Sequence, residues 1–104
     1  MLRTLELEIV RFVDDSQPGW VECRLVDAAA GVHRFVEKAP IVSELPLDRD
    51  SGYPRPGMLA CTVVGERVDD AGEAVVVVDT SAPWGVASVD GVERFVVRRS
   101  QLRG

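Results

Sequence analysis

The sequence predicts an all-β domain, a small closed or partly open barrel of the SH3-like or OB-like kind with about six to eight antiparallel strands. Three observations predict it. Valine dominates the apolar residues while leucine and isoleucine are sparse, and a β-branched excess favours a pleated backbone over a helix. Turn signals recur at short intervals: Asp14-Asp15-Ser16-Gln17-Pro18-Gly19, Asp27 to Gly31, Gly52 to Gly57, Asp69 to Gly72 and Asp90-Gly91. Between them lie runs of strand length, and no window keeps helix spacing long enough to compete. A two-sheet sandwich is the alternative architecture.

The first strand, about Thr4 to Val13, alternates Leu5, Leu7 and Ile9 against Thr4, Glu6 and Glu8. It then breaks phase, so that Val10 and Phe12 are apolar around Arg11. A bulge near Ile9 and Val10 repairs the phase and bends the strand, as a small barrel needs at its corner. In the second strand Val21, Cys23 and Leu25 share the core face, leaving Trp20, Glu22, Arg24 and Val26 on the other. The third strand sets His33, Phe35 and Glu37 against Val32, Arg34, Val36 and Lys38. Phe35 decides the buried side, because an aromatic ring buries more apolar area than a valine.

The one helix candidate, Val42 to Leu47, is interrupted by Pro46 and is at most one turn. Met58 to Gly65 and Glu73 to Asp79 form the next hairpin through Asp69-Asp70-Ala71-Gly72. Its tetravaline, Val75 to Val78, reads as a strand buried on both faces or covered by a loop. Val86 to Val89 and Val92 to Arg98 make a last hairpin around Asp90-Gly91, a strong two-residue turn signal. An internal echo accompanies these elements: Gly31-Val-His-Arg-Phe-Val36 returns as Gly91-Val-Glu-Arg-Phe-Val96, each copy with a tryptophan, Trp20 or Trp84, near the start of its hairpin. The match is short and the turn lengths differ. It reads as two hairpins solving one packing problem, with Phe35 and Phe95 inward and Arg34 and Arg94 outward.

The chain has 104 residues, the length of one domain spanning residues 1–104. At 46% hydrophobic and 28% charged residues it is a soluble, folded composition. Eleven of the twelve basic residues are arginine, a bias taken to reflect a GC-rich coding sequence, and a bacterial source is expected. The net charge of −5 argues against nucleic acid, which is bound by basic stripes that neutralise phosphates. Residues 91–104 depart from this balance, with Arg94, Arg98, Arg99 and Arg103 against Glu93; the segment could pair with the acidic remainder or with a partner, and a solvated final strand is the favoured reading. No signal peptide is visible in MLRTLELEIV, and the longest purely apolar run, Ala74 to Val78, is too short to cross a bilayer. Cys23 and Cys61 stand 38 positions apart without a CxxC, so neither a disulfide framework nor a zinc knuckle is expected. The chain is placed in a reducing cytoplasm, with no membrane and no nucleic acid among its partners.

Chemistry-bearing residues are few. His33 is the one histidine, and it reads as a partly buried ring packing beside Phe35, since a catalytic histidine also needs a nucleophile and an orienting partner that the sequence does not place. Cys23 and Cys61 read as core filler. Asp48-Arg-Asp50-Ser-Gly52 starts like a calcium loop, but its glycine comes one place early and Leu59 stands where the closing glutamate belongs. Asp14-Asp15 and Asp69-Asp70 lie in turns, where aspartate hydrogen-bonds its own backbone. No nucleotide, protease or hydrolase motif occurs, and neither a cofactor, a metal nor an enzyme activity is expected.

Two loops are nominated for protein binding. Glu44 to Gly57 is long and ends in Tyr53-Pro54-Arg55-Pro56-Gly57, stiffened by two fixed φ angles; Tyr53 and Arg55 are residue types enriched at binding hot spots. Thr80 to Gly85 holds Trp84 between Pro83 and Gly85, as a cap on the barrel's open end or as a contact for a partner, the cap being favoured. The leading functional expectation is a non-catalytic protein-interaction module, a small acidic inhibitor or immunity-type protein that masks a basic partner. The alternatives are a small-ligand barrel with His33, Trp20 or Trp84 at its mouth, and an enzyme using His33. The oligomeric state does not follow from the sequence.

Overall fold

In a computed structural model, which describes residues 2–104, β1 (Leu2–Asp14) is the spine of the fold because it pairs along both edges. One edge pairs antiparallel with β4 (Arg55–Val68), from Leu2 opposite Thr62 to Ile9 opposite Arg55. The other edge pairs with β2 (Trp20–Val26) at Glu8 to Asp14 and with β7 (Leu102–Arg103) at Thr4 and Leu5. The register with β2 slips between Ile9 and Arg11, leaving Val10 as the extra residue where the broken phase placed a bulge. A second slip follows between Phe12 and Asp14. Gly57 lies opposite Leu7 and is buried; a Cβ there would come within 2.6 Å of Ile9 Cγ1, so only glycine lets β4 approach this closely.

The strands follow the order β3-β2-β1-β4-β5-β6, with β3 at Val32–Lys38, β5 at Ala74–Asp79 and β6 at Arg94–Arg98. Every pairing is antiparallel, and the sheet curls into a half-barrel. This is one continuous sheet, not the two-sheet sandwich. After β6 a 3-10 turn, Arg99–Gln101, redirects the chain so that β7 returns to β1. The sheet's two end strands, β3 and β6, do not form a ladder. Their seam is bridged by single bonds: the Val89 N–H donates to the Arg34 carbonyl (2.8 Å) and the Ala28 N–H to the Val96 carbonyl (2.8 Å). The barrel is therefore partly open.

The interior is lined by the residues the two-residue rhythm selects: Leu5, Leu7 and Ile9 on β1, Val21, Cys23 and Leu25 on β2, and Phe35 on β3. Phe35 and Phe95 are buried with ring centroids 5.6 Å apart, while Arg34 and Arg94 point outward. The repeated Arg-Phe-Val thus sits on the two end strands, where each phenylalanine closes its own side of the seam. In the tetravaline, Val75, Val76 and Val78 are buried and Val77 is half-buried, as expected of a strand covered on both faces.

Three expectations are corrected. The helix, α1 (Ala39–Val42), starts three residues before the predicted Val42–Leu47 and ends where that begins. Pro40 sits in its first turn, where the missing N–H has no intrahelical partner to lose. Second, Val86 to Val89 is not a strand. The Val86 N–H donates to the Thr80 carbonyl (3.1 Å), the buried Thr80 hydroxyl donates to the Val86 carbonyl (2.7 Å), and the chain is drawn across the barrel end instead of along β6. The Asp90-Gly91 turn still forms, with the Ser88 N–H bonded to the Val92 carbonyl (2.8 Å). Third, the arginines of the final segment are not simply solvated. Arg94 pairs with Asp79, Arg98 with Glu73, Arg99 with Glu66 and Arg103 with Glu6. Such exposed pairs contribute little to stability, because solvent screens them. Among the described residues no helix is long and apolar enough to cross a membrane.

Candidate functional site

The turns β2–β3 and β4–β5 are built alike. Asp27 Oδ1 accepts the N–H groups of Ala29 (2.9 Å) and Gly31 (2.8 Å), and Asp69 Oδ1 accepts those of Ala71 (2.9 Å) and Glu73 (2.9 Å). The Asp27 N–H closes its turn on the Gly31 carbonyl, as the Asp69 N–H does on that of Glu73. Each turn needs one residue at positive φ: Gly72 in the second, and Ala30, at φ 65°, in the first. Aspartate organising its own backbone is the turn chemistry expected at these positions.

The turns differ at the sixth residue after the aspartate, which is His33 in the first and Val75 in the second. His33 Nε2 lies 2.7 Å from Asp27 Oδ2, and the imidazole meets Phe95 edge-on, with centroids 4.8 Å apart and planes at 71°. The ring's close aromatic neighbour is thus Phe95 across the seam, where Phe35 of its own strand was expected. The orienting partner that the sequence did not place is Asp27. Burial pushes the Asp27 carboxyl upward, but the hydrogen bond from His33 and those from the Gly31 and Ala29 N–H groups outweigh it and hold the group below the ordinary carboxylate range. When the imidazole is neutral, an ionised Asp27 holds its proton on Nε2 and leaves Nδ1 as an acceptor. Nδ1 has no partner among the described residues, and no buried side-chain nitrogen or oxygen is left unpaired, so Nδ1 is open to solvent. Gly31 packs against this pair: a Cβ there would lie 2.7 Å from Asp27 Oδ2.

The two turns and β6 wall a cleft of about 720 Å³, lined by Asp27, His33, Arg67, Val75, Phe95 and Val96 among others. No hydroxyl or thiol hydrogen-bonds His33 among the described residues. Cys23 and Cys61 are free and buried; burial pushes the Cys23 thiol up to about 12 and raises that of Cys61 as well, so both are protonated, unreactive core groups. No three histidine, cysteine or acidic side chains among the described residues converge on a point that would hold a metal ion.

The residues nominated from the sequence lie elsewhere. Tyr53 is half-buried against the core, and its hydroxyl donates to the Asp48 carbonyl (2.6 Å). Arg55 is the first residue of β4, also half-buried, and its Nη1 donates to the Ser51 carbonyl (2.7 Å). Both side chains brace the loop they belong to. Trp84 is 60% exposed, which corrects its expected role as a cap on the barrel end. Thr80 and Val86, both buried, fill that end and leave the indole outside. The Trp84 loop is nonetheless tied down: Asp79 Oδ1 accepts the Ser81 N–H (2.8 Å), and the Gly85 N–H donates to the Ser81 carbonyl (2.7 Å).

The pairing of Asp27 with His33 had a readable signal. Leu25 faces inward, so Asp27, two positions on, faces inward too, and His33 shares that face across the same short turn. Arg67 had none, because its place on the cleft depends on the curl of the β4–β5 hairpin. No family model matches this chain, and no curated protein or solved structure matches it either.

Proposed function

We propose that this chain is a non-catalytic protein-interaction module, a small acidic inhibitor or immunity-type protein whose contact with a basic partner centres on Trp84. The observation that carries this reading is an indole 60% exposed on a loop already held by hydrogen bonds. A large rigid aromatic surface with little entropy left to lose is the residue type that anchors interfaces. Charge supports it: Glu8, Glu44, Asp50, Asp70, Asp90 and Glu93 are exposed without an ion pair among the described residues, and the net charge of −5 steers a basic protein toward the surface. Tyr53 and Arg55 serve as secondary contacts on a braced loop. Two free buried thiols suit a reducing bacterial cytoplasm. Catalysis through His33 has less support, since no nucleophile among the described residues hydrogen-bonds its oriented imidazole.

Affinity capture from the native host tests the reading. The wild-type chain is expected to retain one basic protein in stoichiometric amount, Trp84→Ala to lose it, and Tyr53→Ala or Arg55→Ala to weaken it. Undiminished retention by Trp84→Ala removes this loop as the docking point.

A further inference from the structure

We infer that the cleft between the two aspartate turns is a binding site for a small organic acid, an apolar or aromatic body that carries one carboxylate and one hydroxyl. The site is separate from the protein-docking surface, since Trp84 does not line the cleft.

The choice of an anion rests on which groups are already spent. Nine of the eleven arginines donate to a carboxylate or a backbone carbonyl. Among the described residues Arg24 and Arg67 have no such acceptor, and of these two Arg67 lines this cleft. Arg3 and Arg55 bond backbone carbonyls, so in a chain with 17 acidic residues Arg67 is one of four guanidiniums without a carboxylate and one of two with no acceptor among the described residues. The nearby acids are mostly occupied: Asp27 gives one oxygen to its turn and the other to His33, and Asp69 Oδ1 holds its own turn. A guanidinium presents paired N–H donors that match a carboxylate in fork geometry. Asp70, exposed on the rim, opposes an anion and weakens binding without occupying Arg67.

The rest of the lining sets the body of the ligand. Val75, Phe95 and Val96 give an apolar wall, and the volume of about 720 Å³ lies within the range of small-molecule pockets. In the neutral ring, His33 Nδ1 is left as an acceptor by the Asp27 bond on the far nitrogen and accepts a hydrogen bond from a hydroxyl. The cleft is open to solvent, so binding is modest, with Kd on the order of 0.1–1 mM.

Three probes sharing one hydroxyphenyl body separate the charge from the shape: 4-hydroxyphenylacetate, tyramine and 4-ethylphenol. Each is titrated into the isotope-labelled full chain and followed by NMR. The acid is expected to shift His33, Arg67 and Phe95 resonances saturably, ahead of the neutral phenol, with tyramine weakest. Arg67→Gln should weaken the acid about tenfold, and Asp70→Asn should tighten it about twofold. Both side chains are exposed, so both variants are expected to melt with the wild type. Preference for tyramine, tightening by Arg67→Gln, shifts confined to other surfaces, or no binding by the acid at about 10 mM each overturn the assignment.

Discussion

His33 and Asp27 meet at 2.7 Å across the first residues of the β2–β3 hairpin, and the same aspartate organises the turn that separates them. One carboxylate therefore holds the backbone of the hairpin and the tautomer of the histidine. The Ala28 N–H of that turn bonds the Val96 carbonyl, so the arrangement also reaches the seam that joins the two ends of the sheet.

The pH dependence of stability follows from this geometry. The Asp27 carboxyl is held below its ordinary value of 3.8, so its contribution is full above that value and is lost as the pH falls through the lower folded value. Asp27→Asn is expected to cost about 1–3 kcal/mol at pH 7, because the turn N–H groups and His33 lose a charged acceptor. The gap between variant and wild type should narrow as the pH drops from about 5 to 2. Urea unfolding across that range measures it; a gap that stays constant or widens in acid contradicts the assigned role.

The twin turns give a second test. Ala30 occupies at φ 65° the place that Gly72 takes at φ 80°, and a Cβ is disfavoured there. Ala30→Gly should stabilise by about 0.5–1 kcal/mol, and Gly72→Ala should destabilise by a similar amount. Thermal melts of both variants settle it, and equal signs would show that the turns are not equivalent.

Much of this fold was legible in the sequence, and the failures have a common cause. The inward residues of β1 to β3, the bulge at Val10 and the opposite faces of Phe35 and Arg34 follow from local alternation, which a strand enforces wherever one face is buried. The misplaced elements depend on distant partners. Val86 to Val89 has strand composition, but Thr80 captures its backbone. Trp84 has the character of a core residue, but Val86 already fills the end it was expected to cap. The cleft was half legible: alternation and turn length place Asp27 beside His33, whereas the approach of Arg67 and Phe95 is fixed by how far the sheet curls.

The thiols give a third prediction. Cys23 is fully buried with its pKa pushed up to about 12, and Cys61 is buried and raised in the same direction. Neither forms a thiolate at neutral pH. The native chain should react negligibly with a disulfide reagent at about pH 8, and both thiols should titrate rapidly in denaturant. Rapid labelling of either cysteine in the native state would place that strand outside the core.

The last prediction separates the Trp84 loop's order from its chemistry. Thr80 is buried, and its hydroxyl gives the Val86 carbonyl a hydrogen bond of 2.7 Å at the base of the loop. Thr80→Val keeps the volume and leaves that carbonyl unpaired, at a cost of about 1–3 kcal/mol. Thr80→Ser retains the hydroxyl and should lose less. In a Trp20→Phe background, where Trp84 is the remaining indole, Thr80→Val should lower fluorescence anisotropy as the loop loosens. Partner capture should weaken with Thr80→Val because the contact must then be ordered on binding. Trp84→Ala should abolish capture while changing stability by less than about 0.5 kcal/mol, as expected of an exposed side chain. If Thr80→Val leaves anisotropy and capture unchanged while lowering the melting temperature, the hydroxyl supports the barrel end alone, and the loop's order does not depend on it.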